Sequence, residues 1–311
     1  MQKGTLWQAH PIASPEGLRG AALREGNVYL WGDGLYRVPV NQGPSQRLAS
    51  GSFGPAGCLY DGGIVLQTGE DLVFLAAPRF DRPRRIDSGV DAADCQAARL
   101  LGHNGVLVTH RGLQVRHYTP PEDSATRWPY REIYSFYTAS YQAGLIVSDV
   151  DGDGHPDLFC GNYWIRSPEA YELPWRLFAI NTWNEEPLSA RVRLALMGRS
   201  LVVAQGAMRQ ARLAVFDRPA DPTQLWKEHR LESEPPPRQP QALAAGPDFF
   251  VLGESAGPDP RLMLWQRHSA GGFRMSVIHR GRPFTHAWVL NRGLLAFGPG
   301  GLMRFEGSPI Q

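Results

Sequence analysis

Lysine is nearly missing from this sequence: of 32 basic residues only Lys3 and Lys227 are lysines, and 30 acidic residues leave a net charge of +2. So small a net charge supplies no global field to recruit nucleic acid or an anionic membrane, and the arginine bias reads as genomic base composition. No apolar run approaches membrane-spanning length, and Met1-Gln-Lys-Gly-Thr-Leu-Trp7 has no apolar leader core. These absences predict no membrane insertion and a cytoplasmic protein. Cysteine is equally sparse. Cys58, Cys95 and Cys160 are far apart and each sits in an apolar run, which predicts three buried free thiols. There is no Asn-x-Ser/Thr sequon, no Gly-x-Ser-x-Gly elbow, no His-Glu-x-x-His pair and no phosphate-binding glycine loop. The commonest hydrolase, zinc-protease and nucleotide-binding chemistries are thereby excluded.

What is abundant is turn-forming residues. The 34 glycines and 26 prolines punctuate a chain that is 42% hydrophobic, a combination that favours short strands around a substantial core. A unit of about 40 to 45 residues then repeats seven times, each giving four short apolar strands separated by polar turns. The first runs through Ala21-Ala-Leu-Arg24, Asn27-Val-Tyr-Leu-Trp-Gly32, Leu35-Tyr-Arg-Val38 and Gln46-Arg-Leu-Ala49. The seventh ends after Leu302-Met-Arg-Phe305 and lacks a fourth strand, while Thr5-Leu-Trp-Gln-Ala-His-Pro-Ile12 is a spare strand ahead of the first unit. Radial repetition closed by a terminal strand protects sheet edges. The expectation is one all-β domain over residues 1–311: a seven-bladed β-propeller of four-stranded antiparallel blades, its last blade completed by the N-terminal strand. Two stacked β-sandwiches would leave that spare strand unexplained.

One turn differs from the others. Asp149-Val-Asp-Gly-Asp-Gly-His-Pro-Asp157 places carboxylates at positions 1, 3, 5 and 9, with glycines where the backbone must fold back. That donor spacing suits the six to eight oxygens of Ca²⁺, with Asp149, Asp151, Asp153 and Asp157 offering side chains and His155 its carbonyl. It is not an EF-hand, because position twelve is Cys160 and the flanks Leu145-Ile-Val147 and Leu158-Phe-Cys160 read as strands. The motif, followed by Gly161-Asn162 within a blade pattern, resembles the FG-GAP/VCBS repeat propellers, a group that includes integrin α-subunit heads. The resemblance implies one structural calcium in blade four, bound between its first and second strands. Equivalent turns at Arg24-Glu-Gly26, Asp61-Gly-Gly63 and Asn291-Arg-Gly293 have lost the alternating carboxylates. Such loops suit calcium-rich compartments, so export by an unrecognised route is the alternative location.

Strand direction alternates within a blade, which puts the calcium turn on one face and the connections between blades on the other. Around the channel mouth on that second face fall Arg19, Tyr137, Tyr141, Arg191, Arg238, Gln239 and His286. Arginine forks and tyrosine rings there would suit an anionic or polyhydroxylated ligand. The leading expectation is a binding scaffold for a protein partner or saccharide, or a subunit of a larger assembly exposing aromatics such as Trp183. The alternative is a polysaccharide lyase or sugar dehydratase. It would use Tyr137 or Tyr141 with His286 to move a proton, and Arg191 or Arg238 to neutralise a carboxylate. The arginines at 79, 82, 84 and 85 read as a solvated basic face, and Glu234-Pro-Pro-Pro-Arg-Gln-Pro240 as a stiff spacer.

Overall fold

The computed structural model of the protein describes residues 7–41, 43–122, 127–137, 143–183, 191–206, 211–269 and 271–307. Among them the strands form seven sheets of four, each antiparallel throughout and each built from strands adjacent in the chain, except the last. Blade one is Leu18–Arg24, Asn27–Gly32, Leu35–Pro39 and Gln46–Ala49; blade two is Gly57–Tyr60, Gly63–Thr68, Asp71–Ala76 and Pro83–Ser88. Blade three is Ala92–Leu100, His103–His110, Gln114–Tyr118 and Tyr130–Ser135; blade four is Ile146–Ser148, Asp157–Cys160, Tyr163–Arg166 and Arg176–Ala179. Blade five is Arg191–Met197, Ser200–Gly206, Arg212–Asp217 and Lys227–Arg230; blade six is Pro240–Ala245, Phe249–Glu254, Arg261–Arg267 and Phe273–Arg280. Blade seven combines His286–Leu290, Gly293–Gly298 and Gly301–Glu306 with Gln8–Ile12, which pairs antiparallel in the register Gln8↔Glu306 to Ile12↔Leu302. The spare N-terminal strand thus closes the ring, and the first strands of blades one and seven touch.

There is no single central core. The buried apolar residues fall into seven clusters, each filling the space between two neighbouring blades. The cause is the period of a strand, which sends successive side chains to opposite faces. In Ser200–Gly206, where every residue is buried, Leu201 and Val203 pack toward blade four while Val202 and Ala204 pack toward blade six. Because both faces are covered, such strands are continuously apolar instead of alternating. The outermost strands are different: Lys227–Arg230 and Pro83–Ser88 are mostly exposed and carry the polar residues.

The cysteines do not all stay free. Cys58 and Cys95, from the first strands of blades two and three, form a disulfide with Cα atoms 5.5 Å apart, within the cluster between those blades. The 37-residue separation hides a pairing that only the ring of blades creates. Cys160 is free and buried, as expected, beside the Thr109 hydroxyl at 3.9 Å. Trp183 is also buried, only 5% exposed, and packs edge-on against Phe216 of blade five, so it offers no exposed aromatic patch. The proline-rich connection into blade six is anchored. Arg261 Nη2 donates to the carbonyls of Pro235 and Pro236 while pairing with Glu254 at 2.8 Å, both ionic side chains being 3% exposed.

Candidate functional site: the aspartate loop and the channel mouth

The loop from Asp149 to Pro156 joins Ile146–Ser148 to Asp157–Cys160, on the face where strands one and two turn. Its shape follows from its own side chains. Asp149 accepts from Gly152 N (2.7 Å) and Gly154 N (3.0 Å), Asp151 from Asp153 N (3.3 Å), and Asp153 from His155 N (2.8 Å). Gly152 and Gly154, at φ +80° and +85°, provide the left-handed steps that turn those N–H groups inward. Carboxylate oxygens of Asp149, Asp151 and Asp153 come within 4.8 Å of one another. That spacing is close to twice a Ca–O bond of about 2.3–2.6 Å, so the three fit around one calcium ion, and a donor set of hard oxygens suits that metal.

Asp157 is not part of this cluster. It is fully buried, and its Oδ2 accepts Val150 N (3.0 Å) while Oδ1 accepts Ser167 N (2.8 Å) and Ser167 Oγ (3.1 Å). Burial raises its pKa, opposed by the N–H groups of Ser167 and Val150. It pins the base of the loop to the end of the third strand. Two guanidinium groups attend the acidic cluster, and the loop motif gave no notice of either. Arg166 Nε lies 2.7 Å from Asp151 Oδ2 and its Nη2 donates to Asp153 Oδ2 at 3.5 Å. Arg218, from blade five, donates to the Val150 carbonyl and lies in the field of Asp149 and Asp151. The available signal was a basic residue closing the third strand of the same blade, nine positions after Asp157.

The residues expected at the channel mouth do not form one constellation. Tyr141 lies outside the described residues, as does the side chain of Arg191, whose backbone pairs with Gly206. Tyr137 is 99% exposed. Arg19 is exposed and reaches Asp33 at 3.4 Å, and Arg238 is exposed with its N–H on Glu254 Oε1 at 2.8 Å. Gln239 is exposed with φ +45°, and its carbonyl accepts from Ser255. His286 stands in the innermost strand of blade seven with Nδ1 on Thr285 Oγ1 at 3.0 Å and its ring against Trp288 and Phe297. Burial first, and the Arg193 charge second, push its pKa down to about 3, so it is neutral near pH 7. Among the described residues it makes no hydrogen bond to a tyrosine or arginine.

A tyrosine, two histidines and an arginine do meet elsewhere, between blades three and four on the side of the aspartate loop. Tyr171 Oη lies 2.8 Å from His117 Nδ1, with His103 stacked on its ring and Arg131 above it at 5.0 Å. His117 is fully buried, and the hydroxyl faces it, which makes this a packing joint between blades.

No family model and no curated protein sequence matches the chain. Solved structures do. The RRP9 WD40 repeats superpose with a TM-score of 0.66 at 9% identity, covering 96% of this chain and 97% of that one. The Nup133 β-propeller of Vanderwaltozyma polyspora gives 0.66 at 7% identity with 99% of each chain covered. BBS1N, solved in complex with ARL6DN, gives 0.58 at 12% identity with 99% and 98% covered. The chain is therefore a seven-bladed β-propeller, similar in fold to these proteins.

Proposed function

We propose that this propeller is a non-catalytic interaction scaffold, which offers its channel-mouth face to a protein partner while one calcium ion steadies blade four on the opposite face. The observation that carries the reading is Tyr137, 99% exposed at the end of blade three's outer strand in a protein that buries most of its aromatic rings. A large amphipathic ring left in water on a rigid frame is the kind of side chain that anchors protein interfaces. Exposed Arg19 and Arg238 on the same face add forked donors. BBS1N, a propeller of similar fold, was solved with a protein partner, which supports the same use here. The lyase or dehydratase alternative has less support, because among the described residues His286 hydrogen-bonds to neither a tyrosine nor an arginine. A saccharide remains the second ligand class that arginines and a tyrosine would suit.

Asp149, Asp151 and Asp153 would hold the ion, with the His155 carbonyl as a further donor. Asp157, buried at the base of the loop, lies outside their cluster and would join them only by leaving Val150 N or Ser167. Calcium and the disulfide between blades two and three together support a location outside the cytosol. Alkylation of the denatured protein under non-reducing conditions, read by mass spectrometry, should label one cysteine, and labelling of all three would argue for the cytosol.

A photo-crosslinking amino acid at position 137 tests the main reading. One recurrent protein adduct, absent when the crosslinker is moved to Leu225 on the opposite face, is expected. Adducts that do not differ between the two positions, or ultraviolet absorbance from an unsaturated sugar on incubation with acidic polysaccharides, would overturn it.

A further inference from the structure

We propose that Arg166 is a built-in competitor of calcium, an internal cation holding the same carboxylate oxygens that the ion must take. The inference rests on the calcium reading of the loop and adds what controls occupancy. The six oxygens of Asp149, Asp151 and Asp153 are not equivalent. Both oxygens of Asp149, Oδ1 of Asp151 and Oδ1 of Asp153 accept N–H groups of the loop itself. The two left over are Asp151 Oδ2 and Asp153 Oδ2, and these are the two that Arg166 approaches, at 2.7 and 3.5 Å. An entering metal is drawn first to those oxygens, whose charge is not already shared with a loop N–H, and a guanidinium and a calcium ion held on the same two oxygens would repel each other at a few ångströms.

Two features suit Arg166 to displacement. Its Nε contact with Asp151 lacks hydrogen-bond geometry, so the pair is held by charge and not by a fork. It also lines an open groove of about 470 Å³, bounded by Asp153, Trp164 and, across from blade four, Ala220 to Thr223 of blade five. That groove gives the guanidinium somewhere to go, with the Asp221 carboxylate on its far wall. Arg218 is fixed differently, because it donates to the Val150 carbonyl and stays with the loop backbone. Ion entry therefore exchanges one internal ion pair for a metal site and releases a positive charge into the groove between blades four and five.

Calcium titration by calorimetry, with melting curves in calcium and in chelator, tests this on the full chain. Arg166→Ala should bind calcium about ten-fold more tightly than the parent, since a positive charge a few ångströms from the ion has been removed. Its melting temperature should fall in chelator and return to the parent value in saturating calcium, a larger calcium response than the parent shows. Arg166→Lys, which keeps the charge, should stay close to the parent affinity and guards against a folding defect. Unchanged or weaker calcium binding by Arg166→Ala, with the parent binding normally, overturns the competition and leaves the calcium site intact. Failure of the parent and both variants to bind calcium overturns both readings together.

Discussion

The turn between the first two strands is solved in two ways within this molecule. In blade one it is two residues long: Arg24 pairs with Asn27, and Glu25 and Gly26 between them take φ +51° and +73°. Two successive left-handed residues make the tight turn whose twist matches that of the strands, and nothing but backbone is required. In blade four the same position holds eight residues, Asp149 to Pro156, whose carboxylates shape the backbone and then need a cation of their own. A hairpin can be closed by conformation alone or by charge. The second solution is longer and ties the blade to its neighbour through Arg218; on the proposed calcium reading its stability would answer to the ionic surroundings.

The sharpest way to break this comparison is to remove the part of the blade-four loop that no ion replaces. Asp157→Ala would orphan three buried donors, Val150 N, Ser167 N and Ser167 Oγ, and should cost about 4 kcal/mol in urea unfolding, equally in calcium and in chelator. Rescue of that variant by calcium would mean that Asp157 acts chiefly as a ligand. Acid gives the next largest effect and should locate sensitivity away from the loop. Burial holds the His117 pKa down to about 4, so below the ordinary value near 6.5 the unfolded chain takes a proton that the native state refuses. Stability present at neutral pH is lost as the pH falls from 6.5 to 4, by up to about 3 kcal/mol for this residue. His110, also held down to about 4 first by burial, adds to the same slope. In chelator, His117→Gln should flatten the pH dependence of the urea midpoint, and an unaltered slope would remove His117 as its source.

Much of the fold was legible in the chain because it is written locally. Doubly buried strands such as Leu201-Val-Val-Ala204 are continuous apolar runs, and the turns are marked by glycines that must take positive φ, so blades could be counted from spacing. Blade four's third strand, Tyr163–Arg166, was the exception, since it is four residues long and only two residues separate it from the second strand. What depends on the ring was not legible. The Cys58–Cys95 bond, the Tyr171–His117 contact across 54 positions and the Glu254–Arg261 clamp on the prolines all join segments that only closure or a long turn brings together. At the site, the acidic nest was plain from alternate aspartates, whereas Arg166 and Arg218 were not, because arginine is common in this sequence and only direction distinguishes these two.

Two smaller effects compare the turns directly. With calcium at a hundred times its dissociation constant, the parent should gain about 2.7 kcal/mol, and Asp151→Ala should lose that gain while keeping the same blade architecture by circular dichroism. A calcium response that survives in Asp151→Ala would remove the nest as its source. The blade-one turn should behave in the opposite way. Gly26 has nothing within 4 Å of the position a Cβ would occupy, so Gly26→Ala meets no clash, and its only cost is the left-handed backbone itself, about 1 kcal/mol. Because no charge is involved, that loss should be the same in calcium and in chelator, and at low and high salt. If Gly26→Ala instead changed the calcium response, the two turns would be coupled around the ring. The division between a hairpin closed by backbone and one closed by charge would then have to be abandoned.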